Sequence, residues 1–278
     1  MSLNNFIPVL WSARLLNTLN NAHVFANVVN TDYEGEISAQ GDQVKINSIG
    51  EVTISDYTKN SNLSDPEALD AVQTILEIDQ AKSFNFQVDD IDAAQQKPKV
   101  MDSAMQEAGW GLANEADKLI AGFYTSAHAE VEKDKIVDDE PENTYEVLAE
   151  AAEKLDEKNV PREGRWVVVP PFFNAGMVLA GLMETAGSAS AEFEKANGYL
   201  TRLLGFDIWV SNNLTVSGGY TYGMAGSRKA ISYAEQILDI EAYRPEKRFA
   251  NAVKGLHVYG AKVVYPNALV GLKLKRDS

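Results

Sequence analysis

Two stretches of strict alternation constrain this chain more than anything else in it. In the first, Val44, Ile46, Ser48, Gly50, Val52 and Ile54 share one phase, and Lys45, Asn47, Ile49, Glu51, Thr53 and Ser55 share the other. In the second, Leu76, Ile78, Phe84, Phe86 and Val88 stand opposite Glu77, Asp79, Ser83, Asn85 and Gln87. A period of two over such lengths specifies extended strands with one apolar face. Between them, Tyr57 to Asp70 is polar and turn-rich, with Asn60, Ser61, Asn62, Ser64, Asp65 and Pro66. The pattern predicts a long two-stranded hairpin with a wide tip. Such a hairpin is marginal in water by itself. If it projects from the body it needs a partner surface, which a closed monomer does not supply.

Helical periodicity brackets this hairpin. Pro8 can open a helix, and Trp11, Leu15, Leu19 and Ala22 follow on one apolar face, which can pack on its own core or on another subunit. Residues 98–125 predict one long helix with a stripe of Met101, Met105, Ala108, Leu112, Ala116, Leu119 and Phe123. Glu130 to Glu142 predicts an acidic, solvated loop. Asn143 with Glu146 predicts a capping box for a helix carrying Val147, Leu148, Ala151, Ala152 and Leu155, ended by Pro161 and Gly164. The second half reads as short strands: Trp166 to Val169, Phe206 to Val210, Ile231 with Tyr233, Leu256 to Tyr265 and Leu269 to Leu274. Phe173 to Met183 predicts a helix, Gly187 to Ala191 a loop, and the four glycines within Ser217 to Gly226 a turn. The order is mixed, and the fold class is α+β.

Charge divides the chain. Residues 1–150 hold 27 acids and 9 bases, a net of −18, whereas residues 151–278 hold 13 acids and 16 bases, a net of +3. A solvated acidic face explains this in a monomer. Head-to-tail association of copies explains it in an assembly. The overall −15 opposes phosphate-neutralising nucleic-acid binding. There is no cysteine, so disulfides, thiolate nucleophiles and sulfur-built zinc sites are excluded. No secretion signal begins at Met1, and no apolar run is long enough to span a membrane.

No catalytic constellation emerges either. The nucleophile elbow, the phosphate loop, the dinucleotide fingerprint and the H-E-x-x-H zinc motif are all missing. His23, His128 and His257 lie in three separate segments without metal-ligand spacing, and His257 reads as a satisfied core or edge histidine. Asp89, Asp90 and Asp92 cluster, but the first two fall on opposite strand faces. The sequence assigns no catalytic, cofactor-binding or metal residue.

Specific stretches resemble a known family. They are Asp32 to Ile37 (DYEGEI), Gly41 to Ile46 (GDQVKI), Asn159 to Pro171 (NVPREGRWVVVPP) and Phe249 to Val264 (FANAVKGLHVYGAKVV). With the order arm, hairpin, long helix, mixed domain, they resemble the major capsid proteins of tailed bacteriophages, which have the Hong Kong 97 fold. The likeness runs over nearly the whole chain and marks no active site. It implies an N-terminal arm over residues 1–40 and an extended hairpin loop over 41–88. It implies a peripheral domain of 89–126 and 251–278 with the spine helix at 98–125, and a mainly axial domain over 127–250.

The function it implies is a structural subunit that self-assembles as pentamers and hexamers into an icosahedral head around double-stranded DNA. Sequence-specific DNA contact, a membrane role, a cofactor and enzymatic activity are not expected. Residues expected at contacts between subunits are Trp11, Leu15, Tyr57, Lys59, Asp65, Arg162, Arg165, Arg244, Lys247 and Arg248. Lys59 stands near the hairpin tip, where some relatives carry a cross-linking lysine; an ordinary solvated lysine is the preferred reading. Further expectations are a separate scaffolding protein, an unprocessed chain, a portal and a decoration protein. Synthesis would occur in the bacterial host cytoplasm and residence in the virion. The alternatives are an encapsulin-like compartment shell and a carboxylate hydrolase on an unrelated fold.

Overall fold

The two alternating stretches do pair. In the computed structural model, β1 (Gln43–Ile49) runs antiparallel to β2 (Ala71–Glu77), with Val44 opposite Leu76. The structure describes residues 15, 18–19, 22–33, 41–49, 56, 59, 71–89, 99–136, 143–182, 199–247 and 249–276. The base of the hairpin is closed by Gly41 N–H donating to the Ile78 carbonyl (2.8 Å) and Ile78 N–H donating to the Asp42 carbonyl (3.1 Å).

Past that base the chain changes partners. β3 (Gln80–Asp89) joins a three-stranded sheet with β11 (Ala250–Val263) and β10 (Ile231–Tyr243), in the order β10-β11-β3. The expected single hairpin strand over 71–88 is therefore two strands. The alternation keeps its phase across the elbow at Ile78 and Asp79, so the pattern does not mark the change. The elbow crosses β11 at Gly260, where a Cβ would collide with the Glu77 carbonyl. A glycine is what permits this backbone approach.

The long helix is α1 (Lys99–Ala121), continued by a 3-10 turn, Gly122–Ser126. Its 23 residues span about 35 Å at 1.5 Å each. Met105, Leu112 and Ala113 pack with Leu15 and Leu19 against Ile240 and Val253 of the three-stranded sheet. On the opposite face of that sheet, Ala234 and Val258 receive Val44, Ile46, Leu76 and Ile78 from the hairpin.

A seven-stranded sheet forms the rest of the body. Its order is β4 (Ala129–Lys133), β12 (Leu269–Leu274), β9 (Tyr220–Ser227), β5 (Arg165–Val169), β7 (Phe206–Val210) and β6 (Tyr199–Leu203), with β8 (Thr215–Ser217) paired to β9. Strand β5 is buried throughout. Trp166 and Val168 face Phe25, Ile120 and Leu269, while Val167 and Val169 face the helices α2 (Asn143–Glu157) and α3 (Pro171–Leu179). Burial on both faces is why this strand reads as an unbroken apolar run.

Several local expectations change. Pro171 opens α3 from the first turn, which places the helix start before Phe173. The segment read as an acidic loop begins as strand β4, with Val131 buried between exposed Glu130 and Glu132, paired parallel to β12. Asn143 donates its amide to the carbonyls of Asp134 and Lys135, and Glu146 pairs with Lys133 at 2.7 Å. The expected capping residues thus tie α2 to the chain before it. Only Gly218 and Gly219 make the predicted turn, at φ 60° and 82°. Gly223 and Gly226 are interior positions of β9, where a Cβ would sit 2.7 Å from the carbonyls of Val168 and Ala268 respectively.

The sheets also cut across the expected domain boundaries. β12, expected in the peripheral part, completes the seven-stranded sheet, and β10, expected in the axial part, belongs to the three-stranded one. The loop expected at Gly187 to Ala191 lies outside the described residues.

Candidate functional site: assembly surfaces and a buried charge cluster

The described part of the hairpin is held on one face. The apolar side chains Val44, Ile46, Leu76 and Ile78 are covered by β10 and β11. On the other face of β2, Gln73, Ile75 and Glu77 are exposed. A cross-strand hydrogen bond from Gln43 Nε2 to Glu77 Oε1 (3.1 Å) is solvent-exposed and adds little.

The residues expected at contacts fall into three groups. Trp11, Tyr57, Asp65 and Arg248 lie outside the described residues. Lys59, Arg162, Arg244 and Lys247 are on the surface. Arg162 holds Asp156 at 2.8 Å, and Arg244 and Lys247 stand together in the connection between β10 and β11. Arg165 and Leu15 offer no surface to a neighbour, which corrects their expected role. Arg165 is 1% exposed, and its guanidinium is spent on Asp156 (2.7 Å) and on the carbonyls of Val160 and Pro161. It pins the loop after α2 to the start of β5. Leu15 is fully buried in the helix α1 cluster.

Exposed apolar side chains supply surfaces the sequence reading missed. Phe249 is 82% exposed beside the Arg244 to Lys247 connection, Leu179 is 63% exposed at the end of α3, and Trp110 is 60% exposed on α1. Only Trp110 had a legible signal: it falls between the stripe positions of the long helix.

Inside the body lies a polar cluster that no spacing announced. Three donors converge on one oxygen, Glu235 Oε2: Tyr233 Oη at 2.5 Å, His257 Nε2 at 3.0 Å and His23 Nε2 at 3.2 Å. The other ring nitrogen of His23 lies 3.5 Å from Asp117 Oδ1. Asp117, fully buried on α1, also accepts the backbone N–H groups of Val24 (3.0 Å) and Phe25 (3.1 Å). Burial opposes a charge on His23, but the Asp117 and Glu235 carboxylates outweigh it and raise its pKa to about 9. Burial likewise opposes the Glu235 charge, yet His23 and then His257 hold that carboxyl far below the usual range. Burial, reinforced by Glu235, pushes the Tyr233 phenol well above its ordinary value.

The cluster joins four distant pieces of chain. His257 is a core histidine, as expected, but only half satisfied: Nε2 bonds Glu235 and Nδ1 is buried without a hydrogen-bond partner. A signal for the cluster existed at Glu235, a charged residue in phase with the buried Ile231 and Tyr233 of its strand. Its partner on the arm side, His23, had none. Among the described residues, no group of His, Asp and Glu side chains has the geometry to hold a metal ion.

The profile of a phage capsid protein family matches residues 71–272. The chain belongs to this phage capsid protein family. A solved structure from Mycobacterium phage Che8 is 31% identical to this capsid protein, covers 90% of each chain and superposes with a TM-score of 0.69. The capsid structure of the cyanophage P-SCSP1u is 18% identical over 92% of this chain and 87% of that one, with a TM-score of 0.62. A virus-like particle from Pyrococcus furiosus is 14% identical over 94% of this chain and 96% of that one, with a TM-score of 0.58, a likeness of fold. A search of curated protein sequences gives no match. The α+β fold of Hong Kong 97 type is therefore the one expected. The protein is a major capsid protein of a phage head, located in the virion capsid, and its role is structural rather than enzymatic. Among the described residues, no helix is long and apolar enough to cross a membrane.

Proposed function

We propose that this capsid protein closes a shell of pentamers and hexamers by laying its hairpin over the neighbouring subunit. The observation that carries this is a hairpin whose described strands are covered on one face, by β10 and β11, while Gln73, Ile75 and Glu77 on the other are exposed.

Lys59, Arg162, Arg244 and Lys247 are surface charges available for such contacts, and the proposal keeps Trp11, Tyr57, Asp65 and Arg248 as contact residues on the sequence reading alone. The acidic first half can meet the less acidic second half of the next copy, a polarity suited to head-to-tail rings. Peripheral and axial names for the two parts of the body follow the same reading, with the three-stranded sheet and α1 as peripheral. The net charge of −15 suits a lining that releases packaged DNA, so we expect enclosure of a double-stranded genome without sequence-specific contacts. A separate scaffolding protein, a portal and a decoration protein complete the proposed partners, with synthesis in the host cytoplasm.

The test is electron microscopy of the purified full chain, beside a variant in which residues 51–69 are replaced by a short turn. The native chain should give closed shells, and the shortened one folded subunits that do not close. Shells of normal size from the shortened chain would refute the hairpin's role. Enzyme cargo in place of DNA inside particles isolated from cells would favour a compartment shell.

A further inference from the structure

The buried cluster has a feature that packing alone does not require. Two carboxylates, Asp117 on α1 and Glu235 on β10, approach opposite nitrogens of one imidazole, His23. His23 is 1% exposed and Asp117 fully buried, so water does not stand in for a missing partner. A neutral imidazole carries one N–H and one lone pair. If His23 is neutral, one of its two carboxylates faces a lone pair. If it is protonated, both face an N–H. The Glu235 contact is a hydrogen bond at 3.2 Å and the Asp117 contact an ion-pair approach at 3.5 Å without a hydrogen bond; this placement of two carboxylates favours imidazolium.

His23 follows Leu15 and Leu19, which are already buried against α1, and its own N–H donates to the Leu19 carbonyl (3.1 Å). The turn that follows it is docked through Asp117, which accepts the amides of Val24 and Phe25. Asn27 donates its side-chain amide back to the His23 carbonyl. Phe25 then stands edge-on to Trp166 at 6.4 Å, and Asn30 bridges to Ser232 of β10. Residues 23–30 thus tie α1, β5 and β10 together, with His23 at the first tie.

We propose that His23 is the pin of a proton-operated latch, which holds residues 23–29 onto the spine helix and β10 and which alkali opens.

Every neighbouring element contributes groups that bear on the latch. From α1 comes Asp117; Glu115, on the same helix, is engaged by Lys118 (2.9 Å) and by Lys82 of β3 (3.3 Å). From β10 come Tyr233 and Glu235, and from β11 come His257 and Tyr259, whose rings stack at 5.0 Å. Beside the elbow, Asp79 and Glu115 act on Tyr259, which burial holds at about 12. Tyr233 and Tyr259 therefore stay neutral through the range that matters. Because His23 titrates near 9 when docked and near 6.5 when released, the docked state holds up to one extra proton between those values. The latch is at full strength below pH 6.5 and weakens by up to about tenfold per pH unit from there to pH 9. The depressed Glu235 carboxyl keeps it closed in mild acid.

The latch belongs to the single subunit and does not rest on the assembly reading. The test is hydrogen exchange by mass spectrometry on the full chain from pH 6 to 9.5, with protection at 23–29 expressed relative to 269–274 of β12. That ratio should fall by up to about tenfold per pH unit between 7 and 9. The variant His23→Gln should show weaker protection at pH 6 and no such slope, and His257→Gln should keep the slope. A flat ratio in the native chain, or an unchanged slope in His23→Gln, overturns the proposal. Should His23→Gln fail to fold, the ring resonances of the three histidines in the labelled native chain decide. One titrating near pH 9 supports the latch, and all three titrating below 7.5 refutes it.

Discussion

The seven-stranded sheet and the β1–β2 hairpin use the same alternating strands but differ in what covers them. The sheet carries α2 and α3 on one face, and α1 with Phe25 on the other, so Val167 and Val168 are both fully buried although they point in opposite directions. The described part of the hairpin has a cover on one face, where Val44, Ile46, Leu76 and Ile78 meet Ala234 and Val258, and exposes Gln73, Ile75 and Glu77 on the other. The sheet is complete within one chain. Under the proposed assembly, the other surface of the hairpin is completed by a second copy. That division would separate folding from assembly, with subunit stability in the body and lattice contacts in the hairpin.

Truncation in the body is the severest test of that division. Phe173→Ala removes a fully buried ring between α3 and the seven-stranded sheet, and should cost about 3–5 kcal/mol in denaturant unfolding of the free subunit. A loss under 1 kcal/mol would mean that the sheet is not the stabilising unit. The smaller effect is expected in the hairpin. Ile46→Ala removes a side chain 4% exposed at the hairpin base, but the hairpin opens locally without unfolding the body. Its global unfolding free energy should change by less than about 1 kcal/mol, while the yield of closed shells falls severalfold. Equal losses for the two substitutions would abolish the distinction.

Much of this was legible in the sequence, and the misses have physical causes. The hairpin strands, the long helix and the doubly buried β5 were visible because burial imposes a period of two, a period of about 3.6, or an unbroken apolar run. The break between β2 and β3 was not, since Ile78 and Phe84 remain in phase while their neighbours change from β1 to β11. Gly223 and Gly226 were read as turn residues because composition does not distinguish a loop from a strand crowded by adjacent backbone. β4 was concealed by its acids, of which Glu132 pairs with Lys273 of the adjacent β12 at 2.8 Å. Arg165 looked like a surface charge, and the Asp156 carboxylate and two carbonyls that bury it come from the preceding loop and helix. His23, Asp117, Glu235 and His257 are up to 234 positions apart, and topology alone brings them together.

The central claim, that the hairpin is completed by a neighbour while the body is complete alone, has a direct measurement. Hydrogen exchange of residues 43–49 and 71–77 can be compared between free subunits and assembled shells, with 165–169 of β5 as the internal reference. The account predicts strong protection of β5 in both states, and protection of the two hairpin strands that rises at least tenfold on assembly. Hairpin strands as protected in the free subunit as in the shell would contradict it.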